Sequence, residues 1–202
     1  MGLLRSCADA VLIGAGTLHG SPHTHWTAEH AYPPAADFYA QLRRRRNLAA
    51  QPMLAVVTGS GRIDLQHPGL TERSIIFTSE QGATLLRGRL PSSATVVTIG
   101  DGMSLDAAAA VRALQAAGNE IILCEGGPTL FGALVGASLI DELFLTVSPQ
   151  LAGRAADKPR LALIENAALL PDRVTACRLL SARRAGSYLF LHYDFENKRK
   201  RA

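Results

Sequence analysis

Short runs of consecutive apolar residues recur along this chain, and each one ends in glycine or small polar residues. Ala10-Val11-Leu12-Ile13 stops at Gly14-Ala15-Gly16-Thr17, and Leu54-Ala55-Val56-Val57 stops at Thr58-Gly59-Ser60-Gly61. Ile75-Ile76-Phe77 gives way to Thr78-Ser79, and Val96-Val97-Thr98-Ile99 to Gly100. Unbroken apolar runs of this length read as strands buried on both faces, the mark of a parallel sheet. Between them the spacing changes to a helical one. A weakly helical pattern around Phe38 and Leu42 runs from Ala35 to Ala50 and is broken by Pro52. Ser104 is placed to cap a helix from Leu105 to Ala117, with Leu105, Ala108, Val111, Leu114 and Ala117 on one face and Gly118 as its stop.

Residues 18 to 36 lose all periodicity and hold four histidines, the only tryptophan and three prolines, so they read as a long loop and a candidate lid. The last part of the chain changes pattern again. Leu143 to Ser148 alternates as a strand, and Val174 to Leu180 with Ser187 to Tyr193 reads as a terminal hairpin turning near Ala185-Gly186. The expected fold is α/β, with a mostly parallel central sheet and a C-terminal antiparallel hairpin. It forms a single domain over residues 1–195, followed by a basic tail at 196–202.

The segment with most chemical content runs from Glu120 to Phe131, where Ile121-Ile122-Leu123-Cys124 meets Glu125-Gly126-Gly127-Pro128-Thr129-Leu130. Paired glycines leave no side chain in the way of a phosphate, and Pro128 presets a first helical turn. The free amides and positive dipole end of that helix then face an anion. Strand, Gly-Gly and helix in sequence also describe a plain tight turn. In open parallel sheets, however, ligands collect at the carboxyl ends of the strands, where every run here ends in small residues.

Composition narrows the classes. Of 202 residues, 48% are hydrophobic and 19% charged, an ordinary globular make-up with enough apolar content for one sizeable core. Three scattered cysteines without a CxxC pair suggest neither a disulfide framework nor a cysteine zinc site, which fits a reducing cytoplasm. No apolar run approaches the roughly 20 residues of a membrane span, and no signal-peptide core opens the chain. The net charge of +4 gathers at Arg43-Arg44-Arg45-Arg46 and in the tail. Without a nucleic-acid motif beside it, this charge reads as a solvated helix face and a frayed end. His19, His23, His25 and His30 fall close together, but a proline-containing loop offers a metal neither rigid placement nor a second shell of support, and no metal is expected. Trp26 is expected to be exposed or packed locally; closing over a ligand is the alternative.

Four segments, taken in order, resemble the pyrimidine reductase domain of riboflavin biosynthesis in its stand-alone form. They are Ala8 to Thr17, Val56 to Arg62, Glu125 to Leu130, and Ile140-Asp141-Glu142-Leu143 leading to Ser148-Pro149. The resemblance covers most of the chain. It implies a three-layer dihydrofolate-reductase-like fold, a homodimer, and NADPH as cofactor. By the same likeness, Gly16, Thr17, Gly126, Gly127, Pro128, Thr129, Leu130 and Phe131 contact NADPH, and Thr58, Gly59 and Ser60 lie near its adenosine half. Glu125 would reach the substrate, a small molecule, as the catalytic residue. Hydride would pass to a carbon made electrophilic by a conjugated nitrogen, with Glu125 or an ordered water delivering the proton.

The chain also departs from that family. The usual opening strand with a Ser-Leu-Asp-Gly motif has no counterpart before Ala8, and Ser104-Leu105-Asp106 is a partial echo in the wrong place. Where relatives offer acidic residues, a proline and an arginine after the first glycine turn, this chain reads Leu18-His19-Gly20-Ser21-Pro22-His23. A missing strand leaves a sheet edge unpaired and favours pairing with another chain. Two other functions stay open: a pterin reductase on the same fold, and a nucleotide-binding protein without catalysis. Arg62, Arg87 and Arg89 are the candidates for the cofactor's 2′-phosphate.

Overall fold

A computed structural model describes residues 1–100, 105–153, 157, 160–169 and 175–195. The basic tail at 196–202, Ser104 and Val174 lie outside the described residues. The chain divides into two compact units, Met1–Leu130 and Phe131–Ala202.

The first unit is built on the runs read as strands. In chain order it contains α1 (Gly2–Cys7), β1 (Ala10–Gly14), α2 (Ala15–His19), α3 (Ala28–Ala31), α4 (Ala36–Arg45), β2 (Met53–Thr58) and β3 (Ser74–Thr78). It continues with α5 (Glu80–Leu86), β4 (Ala94–Thr98), α6 (Ala107–Ala116), β5 (Ile122–Cys124) and the start of α7 (Pro128–Gly136). The five strands form one parallel sheet in the order β4-β3-β2-β1-β5. β1 is the strand flanked by β2 and β5, and its Ala10, Val11, Leu12 and Ile13 are fully buried. Burial on both faces is why the runs in β1, β2 and β3 are continuous and not alternating, whereas β4 and β5, at the two ends of the strand order, are only partly buried.

Asp9 sets the register of the last strand, its Oδ2 accepting from the amides of Glu120 (3.0 Å) and Ile121 (2.8 Å). On one face of the sheet Val11, Ile13, Leu54 and Val56 pack with Leu18, Trp26 and Leu70.

The stretch from 18 to 36 differs from the long loop expected. It contains the end of α2, all of α3 and a 3₁₀ turn at Pro33–Ala35, and Trp26 is only 4% exposed within the core. Local packing is thus the outcome for Trp26. The indole supplies an apolar surface that the histidine- and proline-rich sequence around it lacks, so one aromatic anchors the whole segment. His67 lies beside it with ring centroids 5.5 Å apart. His19, His23 and His30 are exposed.

Arg43 also corrects the reading of the arginine run as a solvated face. It is 2% exposed, and its guanidinium donates to the carbonyls of Ala49 (2.7 Å), Ala8 (2.8 Å) and Arg5 (3.1 Å). These contacts gather carbonyls from the end of α1 and from the turn beyond α4, and burial lowers the guanidinium's pKa. Arg44, Arg45 and Arg46 are exposed, as a solvated face requires.

α6 begins two residues later than expected. Asp106 caps it, accepting from the Ala108 amide at 2.9 Å, and its other oxygen meets Arg112 at 2.7 Å. The Arg112 hydrogen bond holds the Asp106 carboxyl below the usual range. Asp serves as well as Ser at this position, and here it is the residue next to the helix. Gly118, at φ +85°, ends the helix as expected.

The second unit contains the rest of α7, β6 (Glu142–Val147), β7 (Cys177–Ala185) and β8 (Tyr188–Phe195). The expected hairpin is present, and β8 also pairs with β6, giving an antiparallel sheet in the order β6-β8-β7. Gly186, with φ +56°, makes the two-residue turn possible. Phe144 and His192 stack across β6 and β8 with centroids 4.2 Å apart, and Glu142 bonds the His192 ring at 3.1 Å. With its parallel sheet, flanking helices and antiparallel C-terminal part, this is the dihydrofolate-reductase-like α/β fold expected.

Candidate functional site

Parallel pairing of β1, β2 and β5 puts their carboxyl ends at one edge of the first unit. β1 delivers Gly14 and, through the immediate start of α2, Gly16 and Thr17. β5 delivers Glu125, Gly126 and Gly127, and then Pro128 opens α7 with Thr129 and Leu130. The two turns touch: the Gly14 amide donates to the Gly126 carbonyl at 2.7 Å. A Cβ on Gly127 would stand 3.3 Å from Thr17 Oγ1, so a side chain at that position would crowd the threonine. Gly126 has φ +82°, a conformation that L side chains resist, and a cis peptide bond joins it to Gly127. At Gly16 a Cβ would meet nothing within 4 Å, which leaves open space beside the α2 start.

β2, the neighbour of β1, supplies Thr58, Gly59 and Ser60 to the same edge. These residues build their own turn. Thr58 Oγ1 accepts from the Gly61 amide (3.2 Å), Ser60 Oγ from the Arg62 amide (3.3 Å), and the Gly59 carbonyl from Ser79 Oγ (2.8 Å). Gly61, at φ +68°, packs against Gly82 of α5 so closely that an added Cβ would lie 2.6 Å from the Gly82 carbonyl oxygen. The structure therefore brings ten of the eleven residues expected at the cofactor, Gly16 through Leu130, to adjoining strand ends of one sheet. Phe131 is the first residue of the second unit.

Glu125 has a partner that sequence reasoning missed. Arg5 Nε and Nη2 donate to its two carboxylate oxygens, each at 2.7 Å, in a fork with both side chains nearly buried. The same guanidinium donates to the carbonyls of His25 (3.2 Å) and Thr27 (3.1 Å). A carboxylate so engaged is an acceptor and orients what lies beside it. Arg5 sits in an N-terminal helix whose one visible signal is an arginine among apolar and small residues. Beside Glu125, the Cys124 thiol is pushed up to about 11 by burial. No cluster of metal-ligating side chains occurs among the described residues, the loop histidines included.

The five-stranded parallel sheet, the three-stranded antiparallel sheet and the helices place the chain in the dihydrofolate-reductase-like class of α/β proteins. Within it, this chain belongs to the RibD C-terminal domain family, whose model matches residues 1–189. Among solved structures it is similar to a pyrimidine reductase-like protein from Corynebacterium diphtheriae, with a TM-score of 0.74 at 19% identity over 96% of this chain and 78% of that one. It is also similar to RibD from Acinetobacter baumannii, with a TM-score of 0.69 at 18% identity over 96% of this chain and 48% of the other. This chain thus spans about half the length of that relative. A riboflavin biosynthesis reductase from Saccharomyces cerevisiae aligns at a TM-score of 0.67 and 11% identity, over 96% of this chain and 78% of that one. A search of curated proteins returns no significant match. Among the described residues, no helix is long and apolar enough to cross a membrane.

Proposed function

We propose that this protein is an NADPH-dependent reductase of the riboflavin-biosynthesis type, acting on a ribosylaminopyrimidine. The observation that carries this reading is the meeting of the Gly14–Thr17 and Gly126–Pro128 turns at one sheet edge, with a glycine cradle at Gly16 and Gly127. Family membership over residues 1–189 supports the same class.

The donor set suits a dinucleotide. Amides at the start of α7 and the Thr17 hydroxyl face a pyrophosphate well, because both are neutral donors beside backbone that no side chain obstructs. When bound, NADPH supplies the hydride. The chain's residues hold the acceptor carbon in place and exclude water. Glu125 offers carboxylate lone pairs to N–H groups of the pyrimidine, while Arg5 fixes its orientation. Since Glu125 is committed as an acceptor, an ordered water is the better proton donor. The protein works as a homodimer in the cytoplasm on this reading, and residues 1–195 act as one functional domain.

Titration of the purified chain with NADPH and NADH, followed by fluorescence and thermal shift, tests the reading. Binding of NADPH followed by oxidation of the cofactor with a ribosylaminopyrimidine phosphate is the expected result. A folded sample that binds neither dinucleotide contradicts it, and turnover of dihydropterins instead would move the substrate assignment.

A further inference from the structure

His67 is buried, 2% exposed, in the loop that follows β2, and both of its ring nitrogens are engaged. It precedes the 3₁₀ turn Pro68–Leu70 and caps it, Nδ1 accepting the Gly69 amide at 3.0 Å. A ring nitrogen that accepts carries no hydrogen, so the hydrogen is on Nε2, which donates to the Ser21 carbonyl at 3.0 Å. The loop after β2 thereby holds the segment between α2 and α3 through one tautomer of one imidazole.

The same turn seats Trp26. The indole lies beside the His67 ring, with centroids 5.5 Å apart, and a Cβ on Gly69 would stand 3.0 Å from its Cζ3. The residues on either side of Trp26 are His25 and Thr27, and their carbonyls accept from Nη1 of Arg5 at 3.2 and 3.1 Å. The other two nitrogens of that guanidinium, Nε and Nη2, form the fork to Glu125. His67, Trp26, Arg5 and Glu125 are thus linked in turn from the loop after β2 to the end of β5. α2 has an anchor of its own, because Leu18 is fully buried in the core.

We propose that His67 is a positioning residue for the reduction. It fixes the Ser21 carbonyl and the seat of Trp26, these set the two carbonyls that aim Arg5, and Arg5 aims the Glu125 carboxylate at the pyrimidine. The inference rests on the substrate role given to Glu125 above and names a residue that acts on it from outside the site. A misplacement of about 1 Å at a group that orients substrate can cost a hundredfold in rate. The dinucleotide side stands apart from this series of contacts: Gly14 meets Gly126 through backbone, and Thr17 rides on α2 with Leu18 as its anchor. Loss of the His67 contacts therefore falls on the pyrimidine and spares NADPH.

The test compares His67→Gln and His67→Asn. Glutamine sets an amide donor near the place of Nε2 and keeps the tie to Ser21; asparagine sets an amide oxygen near the place of Nδ1, keeps the Gly69 bond and loses the tie. Thr71→Ala, which removes an exposed hydroxyl donating to the Pro68 carbonyl in the same turn, is the control. With folding confirmed by circular dichroism, His67→Asn is expected to lower kcat/KM for a ribosylaminopyrimidine phosphate about tenfold or more, and His67→Gln by less than about threefold. Thr71→Ala should match the wild type, and the Kd for NADPH should change by less than about twofold in all three. Trp26→Phe, which shrinks the seated ring and keeps the His67 bonds, makes the same comparison if His67→Asn does not fold, again with kcat/KM falling at constant NADPH affinity. Urea unfolding gives a readout without activity: Glu125→Gln should change the unfolding constant at least about fivefold less in the His67→Asn background than in the wild type. A folded His67→Asn with wild-type kcat/KM, an equal loss of NADPH affinity, or additive effects in urea overturns this inference and leaves the cofactor reading standing. Wild-type protein that binds neither dinucleotide overturns both.

Discussion

Arg5 and Glu125 stand 120 residues apart in sequence and meet in a two-pronged ion pair, with both nitrogen-to-oxygen distances at 2.7 Å. Because the pair is nearly buried, removing one partner strands the other as an uncompensated charge. Arg5→Ala and Glu125→Gln are each expected to cost about 3–5 kcal/mol of unfolding free energy. Arg5→Lys should recover little, since an ammonium cannot reproduce the fork and also reach His25 and Thr27. Urea denaturation measures this, and a loss below about 1 kcal/mol would place the pair among weak surface bridges.

The single tryptophan gives a direct optical check on the segment from 18 to 36. With Trp26 in the core against His67, its emission should be blue-shifted and poorly quenched by acrylamide in the folded protein. Trp26→Ala should cost about 3–5 kcal/mol. His67 is bound on both ring nitrogens, Nδ1 accepting from the Gly69 amide and Nε2 donating to the Ser21 carbonyl, each at 3.0 Å. A red, freely quenched emission would contradict this packing.

Gly82→Ala probes the seam between α5 and the turn after β2. The new methyl would fall on Thr78 Oγ1 and come within 2.9 Å of the Gly61 amide nitrogen. Backbone on one side cannot yield cheaply, so a loss of about 1–3 kcal/mol is expected. If the turn shapes the cofactor site, NADPH affinity should fall as well; calorimetry on the variant reads both.

The thiols should differ sharply in reactivity. Cys177 is exposed, whereas burial pushes the Cys124 thiol up to about 11. Since the thiolate is the nucleophile, iodoacetamide at pH 8 should modify Cys177 and spare Cys124 until the protein unfolds. The folded pKa exceeds the unfolded value near 9, so Cys124 favours the fold fully below pH 9, and that contribution is lost as pH rises toward 11. Cys124→Ala should therefore flatten the alkaline decline in melting temperature over that window.

Much of the first unit was legible in the sequence, because buried parallel strands announce themselves as unbroken apolar runs ending in glycine. Val11, Leu54 and Ile76 needed no tertiary information to be placed. What escaped was long-range and polar. Arg5 carried no signal that set it apart, and its partner lies beyond five intervening strands. Arg43 looked like the rest of a charged run, because its role depends on carbonyls from α1 that only folding brings to it. The Trp26 segment carried no period, since one large side chain anchors it and no repeating face does. At the candidate site the glycines were visible from their spacing, but the fork that Arg5 makes to Glu125 was not.

The place of β1 in the sheet has a consequence for how the chain acquires its structure. Made first, it is flanked by one strand that emerges some forty residues later and by another more than a hundred residues later. Until residues 122–125 are available, one side of this buried strand stays unpaired, and the Arg5 guanidinium lacks the Glu125 carboxylate. Such distant pairing slows folding, and on a ribosome it leaves a sticky intermediate for as long as the missing segment takes to be synthesised. Yield in cells should therefore respond to chaperone supply and to growth temperature more steeply than the equilibrium stability of the finished protein suggests.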